Sequence, residues 1–270
     1  MNNVIVVENV SKTYVTEKGL PLLAIKNFSM EVKEGDFVAI VGPSGCGKTT
    51  LLWGLTGLHN LTSGKALILG KKVDKPRREV GIVFQEANLL PWRNIINNIY
   101  FPLEIMKENI NEYKERVKEL IENVGLTGFE NNYPRELSGG MQQRASIVRA
   151  LSYNPKVLLM DEPFGSLDAY TKDKMDTLLL GIWEKTKKTI VFVTHRIEEA
   201  VYLANKVYVM TPRPSVNSAT FNIDLPRPRP EGITMDRVFF DIVAGIKRII
   251  TKDIKDVETK MGQNGVNPSS

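Results

Sequence analysis

Apolar and polar positions change their period along this chain, and the changes mark its organisation. Phe28, Met30 and Val32 alternate with Ser29, Glu31 and Lys33, the period of a strand buried on one face. Residues 4–14 read as a strand leading into a polar turn. Residues 37–41, 157–160 and 189–193 are nearly continuous apolar runs, which parallel strands covered on both faces require. Shorter strands are expected at 66–69, 82–84, 207–210 and 221–225. Between about 86 and 155 the period becomes helical. Val117, Leu120, Ile121 and Val124 share one helical face there, and Gly125 can end that helix. The pattern predicts an α/β chain: a parallel core, a small antiparallel sheet at its N-terminal end and an inserted helical subdomain.

The C-terminal part follows other rules. Leu225-Pro226-Arg227-Pro228-Arg229-Pro230 lacks the backbone donors of helix or central strand and predicts an extended linker. Phe239, Ile242, Val243, Ile246, Ile249 and Ile250 then form a helical stripe, expected to pack on its own domain. Residues 261–270 are expected to be disordered. The expected division is 1–86 with 156–225 as core and antiparallel subdomain, 87–155 as helical subdomain, and 226–270 as linker, helix and tail.

Composition narrows the class. With 270 residues, 42% apolar and 25% charged, the chain matches an ordinary globular protein. Nowhere does an apolar run approach the roughly 18 residues of a membrane-spanning helix. Met1-Asn2-Asn3-Val4 has no basic region followed by an apolar segment, so no signal peptide is expected. A single cysteine, Cys46, excludes an internal disulfide and suits a reducing compartment. The net charge is +5, and Lys71, Lys72, Lys75, Arg77 and Arg78 cluster. Such a cluster could face nucleic acid or an anionic membrane surface, but no aromatic residues interleave with it as in single-strand binders, which favours a solvated face.

One stretch carries phosphate chemistry. Gly42-Pro43-Ser44-Gly45-Cys46-Gly47-Lys48-Thr49-Thr50 lies between the 37–41 strand and the apolar start of a helix. Its spacing fits G-x-x-x-x-G-K-[ST], a loop whose backbone N–H groups converge on phosphate oxygens. The following helix aims its positive end at the same anion. Lys48 can reach the terminal phosphates, and the Thr49 hydroxyl suits Mg²⁺. Asp161-Glu162-Pro163 ends the 157–160 strand. There Asp161 can hold Mg²⁺, usually through water, and Glu162 can polarise an attacking water. Upstream, Glu136-Leu137-Ser138-Gly139-Gly140-Met141-Gln142-Gln143-Arg144 offers a second anion site, a helix start capped by Ser138 with two glycines leaving its N–H groups bare.

With that stretch the chain resembles the ATP-binding cassette (ABC) proteins. Gln85 matches the family's Q-loop, Ser166-Leu167-Asp168 its D-loop, His195 its switch histidine and Tyr14 the aromatic that stacks on adenine. The motifs keep the family's order over roughly residues 4–230. The resemblance implies a P-loop NTPase (RecA-like) core and a head-to-tail homodimer with ATP between the phosphate loop of one copy and the signature stretch of the other. It implies that Tyr14, Gly42, Pro43, Ser44, Gly45, Cys46, Gly47, Lys48, Thr49 and Thr50 bind ATP, and that Ser138, Gly139 and Gly140 complete the opposite site. Thr49, Gln85 and Asp161 would arrange Mg²⁺, Glu162 would be the general base, and His195 would contact the γ-phosphate.

Gln85 to Trp92, Arg77-Arg78-Glu79-Val80-Gly81 and Thr211-Pro212-Arg213-Pro214 resemble the nitrate/sulfonate/taurine branch of importers. That implies integral membrane permease subunits and an extracytoplasmic solute-binding protein as partners, Trp92 as a docking position, and a place on the cytoplasmic face of the membrane. Arg196 and Ser215 depart from the pattern, standing where Asp and Gly are usual. The competing reading, a soluble ABC ATPase acting on nucleic acid or ribosomes, would usually need two cassettes or a long coiled-coil insertion. About 70 residues separate Gln85 from the Asp161 strand, and no nucleic-acid partner is expected.

Overall fold

A computed structural model of the chain describes residues 3–230 and 232–263. They fall into two compact units, one of residues 1–76 with 192–270 and one of residues 77–191.

The first unit holds a four-stranded antiparallel sheet in the order β2-β1-β4-β5. Its strands are β1 (Asn3–Val15), β2 (Pro21–Lys33), β4 (Ser63–Ile68) and the two-residue β5 (Lys71–Lys72). Phe28, Met30 and Val32 are buried while Ser29, Glu31 and Lys33 are exposed, as their alternation requires. The unit also carries β3 (Phe37–Val41), buried at all five positions, with β9 (Lys206–Met210) parallel to it and β10 (Asn217–Asn222) antiparallel to β9. The end of β8 (Thr189–Thr194) joins β3 on the other side, where Phe192 and Phe37 rings stand 5.9 Å apart. Helix α1 (Lys48–Thr56) follows β3, α6 (Ile197–Leu203) follows β8, and α7 (Arg237–Gln263) ends the described chain.

Three expectations need correction in this unit. The strand expected at 221–225 is β10, four residues earlier. Its paired residues are an alternating polar edge, whereas Ile223 and Leu225 are buried outside the sheet after the chain leaves it at Asn222. The Pro/Arg segment is free of helix and strand as expected, but it does more than link. Arg229 is buried, and its guanidinium donates to the carbonyls of Tyr202 (2.9 Å), Ala204 (2.9 Å), Leu225 (2.7 Å) and Pro226 (3.1 Å). The planar five-donor group replaces the backbone donors that proline removes. In the tail, Met261–Gln263 continues α7 instead of being disordered, and residues 264–270 lie outside the described residues. Phe239, Val243 and Ile246 of α7 are buried, and the helix packs on α6 and β9 of its own unit.

In the second unit β6 (Val80–Val83) pairs in parallel with β7 (Val157–Asp161), and the beginning of β8 follows in the order β6-β7-β8. Its helices are α2 (Ile95–Ile105), α3 (Lys114–Asn123), α4 (Gly139–Leu151) and α5 (Ala169–Thr186). Val117, Leu120, Ile121 and Val124 are all buried, and the chain turns at Gly125 with φ +66°. The fully buried Asn98 in α2 accepts from Leu90 N–H at 2.7 Å and donates to the carbonyls of Leu90, Arg93 and Asn94. One amide thereby fastens the loop that carries Trp92 to the helix after it.

Candidate functional site

The phosphate loop in the first unit leaves β3 and enters α1. Gly45 and Gly47 have φ of +72° and +116°, values a residue with a Cβ rarely adopts, so the consecutive N–H groups can turn inward. Lys48 is nearly buried and its Nζ donates to the carbonyls of Gly42 (3.0 Å) and Pro43 (3.2 Å), which holds the ammonium over the loop. Cys46 is buried in the loop, Ser44 is exposed, and Thr49 and Thr50 are half-buried at the start of α1. The Tyr14 hydroxyl donates to Thr50 Oγ1 at 3.3 Å, and the Lys12 ammonium stands 4.9 Å from the Tyr14 ring centre. That fixes the ring beside the loop.

His195 is exposed immediately after β8. The Thr194 hydroxyl beside it donates to Glu199 and accepts from Arg196 N–H at 3.0 Å, closing the turn into α6. Arg196 therefore needs no capping side chain of its own. Ser215 is fully buried: its N–H and Oγ both donate to the Ala24 carbonyl, at 3.0 and 3.1 Å, and its carbonyl accepts from Lys26 N–H. A serine in place of glycine thus stitches this segment to β2.

In the second unit Gln85 comes after β6, Asp161 ends β7 and Glu162 follows it. Asp161 is buried and Glu162 half-buried. Glu162 has φ +42°, a left-handed conformation that non-glycine residues adopt at a cost of order 1 kcal/mol and that clusters at functional positions. Gln85 and Glu162 meet at Gly165, where a Cβ would lie 3.2 Å from the Glu162 carbonyl and 3.3 Å from Gln85 Nε2. Ser138 caps α4, accepting from Met141 N–H at 3.3 Å, with Ser138 and Gly139 exposed and Gly140 buried. Asp168 caps α5 in the same way through Thr171 N–H at 3.0 Å. Hydrogen bonds from Thr171 hold its carboxyl below the ordinary carboxylate range.

Contacts of three residues near the site were not legible in the sequence. Arg149 of α4 donates to the carbonyls of Ala87 and Asn88, both at 2.7 Å, and Gln143 of the same helix donates to the Phe84 carbonyl at 3.1 Å. Helix α4 thus grips the chain on both sides of Gln85. Burial lowers the Arg149 guanidinium from its ordinary value and pushes the neighbouring Tyr153 up to about 12, which Arg149 partly opposes. In the first unit Arg213 brings Nη2 within 3.6 Å of the Cβ position of Gly45, placing a cation beside the phosphate loop. The Pro-Arg-Pro sequence just after β9 was its only sequence signal.

A phosphate loop after a buried parallel strand, an acid pair ending another and an exposed capped helix start define a P-loop ATPase with a cassette's inventory of sites. The family model described as ABC transporter matches residues 25–165. The chain is 43% identical to the aliphatic sulfonates import ATP-binding protein of Bacillus cereus, covering 83% of this chain and 87% of that protein. It is 41% identical to the nitrate import ATP-binding protein of Synechocystis, covering 82% of each. Its fold is similar to the dimeric post-hydrolysis structure of an ATP-binding cassette bound to ADP and Pi, with TM-score 0.71 and 33% identity over 81% of this chain and 98% of that one. The chain belongs to the ABC transporter family. It is an ATP-binding subunit of the importer class and hydrolyses ATP for transport. Among the described residues no helix is long and apolar enough to cross a membrane.

Proposed function

We propose that this chain energises import of a small oxyanion solute of the nitrate, sulfonate or taurine kind, as a homodimer on the cytoplasmic face of the membrane. Its partners in this reading are integral membrane permease subunits and an extracytoplasmic solute-binding protein. The observation that carries it is Trp92, 72% exposed on a loop that the buried Asn98 holds rigid. A large indole left in water on a fixed loop is a ready contact for an apolar partner element. The likeness to sulfonate and nitrate import proteins supports this reading of the solute class.

The chemistry follows from the residues. Gly42, Pro43, Ser44, Gly45, Cys46, Gly47, Lys48 and Thr50 cradle the phosphates, and Tyr14 stacks on the adenine. By the resemblance Thr49, Gln85 and Asp161 would hold Mg²⁺, a hard cation that takes oxygen ligands and shares its site with substrate phosphates. When bound, that ion would neutralise phosphate charge. Glu162 takes a proton from the water that attacks the γ-phosphorus, the bond to the bridging oxygen breaks, and ADP and phosphate leave. His195 donates to the γ-phosphate, and Ser138, Gly139 and Gly140 of the second copy close over it. In the same reading residues 1–86 with 156–225 form the nucleotide-binding core, 87–155 the signature subdomain, and 226–270 the Pro/Arg linker, helix and tail.

The test is to tag the chain in its own cell, solubilise the membranes gently and identify what co-purifies. A multi-spanning membrane protein in equal amount is expected. A soluble dimer alone, or one carrying nucleic acid, would overturn the importer reading.

A further inference from the structure

A cavity of about 230 Å³ opens in the second unit, and none of the residues assigned a role above lines it. Its walls come from α3, the turn after α4, the last turn of α5 and the residue before β8. Arg116, Lys185 and Lys188 face it against a single carboxylate, Glu119. The two lysines are held by neutral partners: Lys185 Nζ donates to Asn123 Oδ1 and Lys188 Nζ to Asn154 Oδ1, each at 2.6 Å. Arg116 Nε donates to the Leu151 carbonyl at 3.3 Å, but its Nη2 is buried with no hydrogen-bond partner. Burial lowers the Lys188 ammonium, and Arg116 and Lys156 lower it further by repulsion. Burial also lowers Arg116, against the opposing pull of Glu119. Like charges assembled around a void with an unspent guanidinium donor disfavour one another unless an anion joins them.

We propose that this cavity binds a small dianionic oxyanion of the phosphate or sulfate class, free or as the head of a small soluble ester. The planar guanidinium of Arg116 is matched to two oxygens of such an anion, and Lys185 and Lys188 supply point charges from the end of α5 and the residue before β8. The volume lies below the roughly 300–1,000 Å³ of drug-sized pockets, which suits an oxyanion and excludes a whole nucleotide. Because Arg116 also holds the carbonyl of Leu151, the last residue of α4, occupancy bears on the helix that starts at Ser138.

The test is calorimetric titration of the full chain with sulfate, inorganic phosphate and glycerol 3-phosphate at constant ionic strength. Saturating ADP keeps the phosphate loop occupied. One saturable site is expected, with affinity at least about tenfold weaker in the Arg116→Gln/Lys188→Gln chain. Preference for the inorganic ions would identify a free anion, and preference for glycerol 3-phosphate a small ester. Lys185→Gln, at the exposed rim, gives an independent reading should the double variant misfold, again with about tenfold loss expected. No saturable binding overturns the proposal. So does equal affinity in the variants, which would place the ion elsewhere, beside ADP at the nucleotide site or as an adventitious ion only.

Discussion

The guanidinium of Arg149 lies 2.7 Å from the carbonyl oxygen of Ala87, two residues beyond Gln85, and its second nitrogen reaches Asn88 at the same distance. The helix that begins with the exposed Ser138 and Gly139 is therefore tied directly to the segment that carries Gln85 and Trp92. A shift of that helix cannot leave the segment unmoved, because the planar fork fixes two successive carbonyls at once. The start of α4 and the segment that carries Gln85 and Trp92 are thereby mechanically coupled.

Arg149→Lys tests this tie. Lysine keeps the charge but cannot hold two carbonyls in one plane, so one charge-assisted hydrogen bond worth about 1.5–3 kcal/mol is forfeited. We expect ATP affinity to hold, stability to fall by about that amount, and turnover by the assembled complex to drop. Calorimetry and a phosphate-release assay measure all three, and wild-type turnover would contradict the role.

Glu162→Gln should retain ATP binding and lose hydrolysis, since the amide preserves the shape but cannot accept the proton. Single-turnover measurement with ATP separates the two effects. Unchanged hydrolysis would remove Glu162 as the base.

Arg229→Ala should destabilise the first unit by at least about 3 kcal/mol, because four carbonyl oxygens lose their donor together. Denaturant unfolding measures it. A loss below about 0.5 kcal/mol, typical of surface positions, would mean the segment is no more than the extended linker its prolines suggest.

Tyr153 supplies the pH test. Its folded-state pKa is about 12, against an ordinary value of 10.0, so the fold favours the protonated form. The stability it contributes is complete below about pH 10 and is lost as pH rises through about 12. The difference in ultraviolet titration between the chain and Tyr153→Phe should have its midpoint near 12, whereas a midpoint near 10 would contradict its burial.

Much of this was legible in the sequence because the chemistry dictates the residue types. Buried parallel strands must be apolar throughout, a phosphate loop must have glycines at its positive-φ positions, and Ser138 is a helix cap by composition alone. The residues that escaped act through partners far away in sequence. Arg149 grips a segment 61 and 62 residues before it, and Arg229 collects carbonyls up to 27 residues away. No local periodicity marks such pairs. The left-handed backbone of Glu162 was equally silent, since glutamate is not a residue that announces a positive φ. The misplaced β10 shows the reverse error: apolar Ile223 and Leu225 suggested a strand, but its paired residues are the polar edge before them.

The central claim is that the nucleotide site is completed by a second copy. Its most direct measure is the solution mass of the Glu162→Gln chain with and without ATP and Mg²⁺. We predict a shift from the 30.4 kDa monomer to twice that mass on adding ATP, abolished by a further Ser138→Arg substitution. A chain that binds ATP fully and stays at 30.4 kDa would contradict the account.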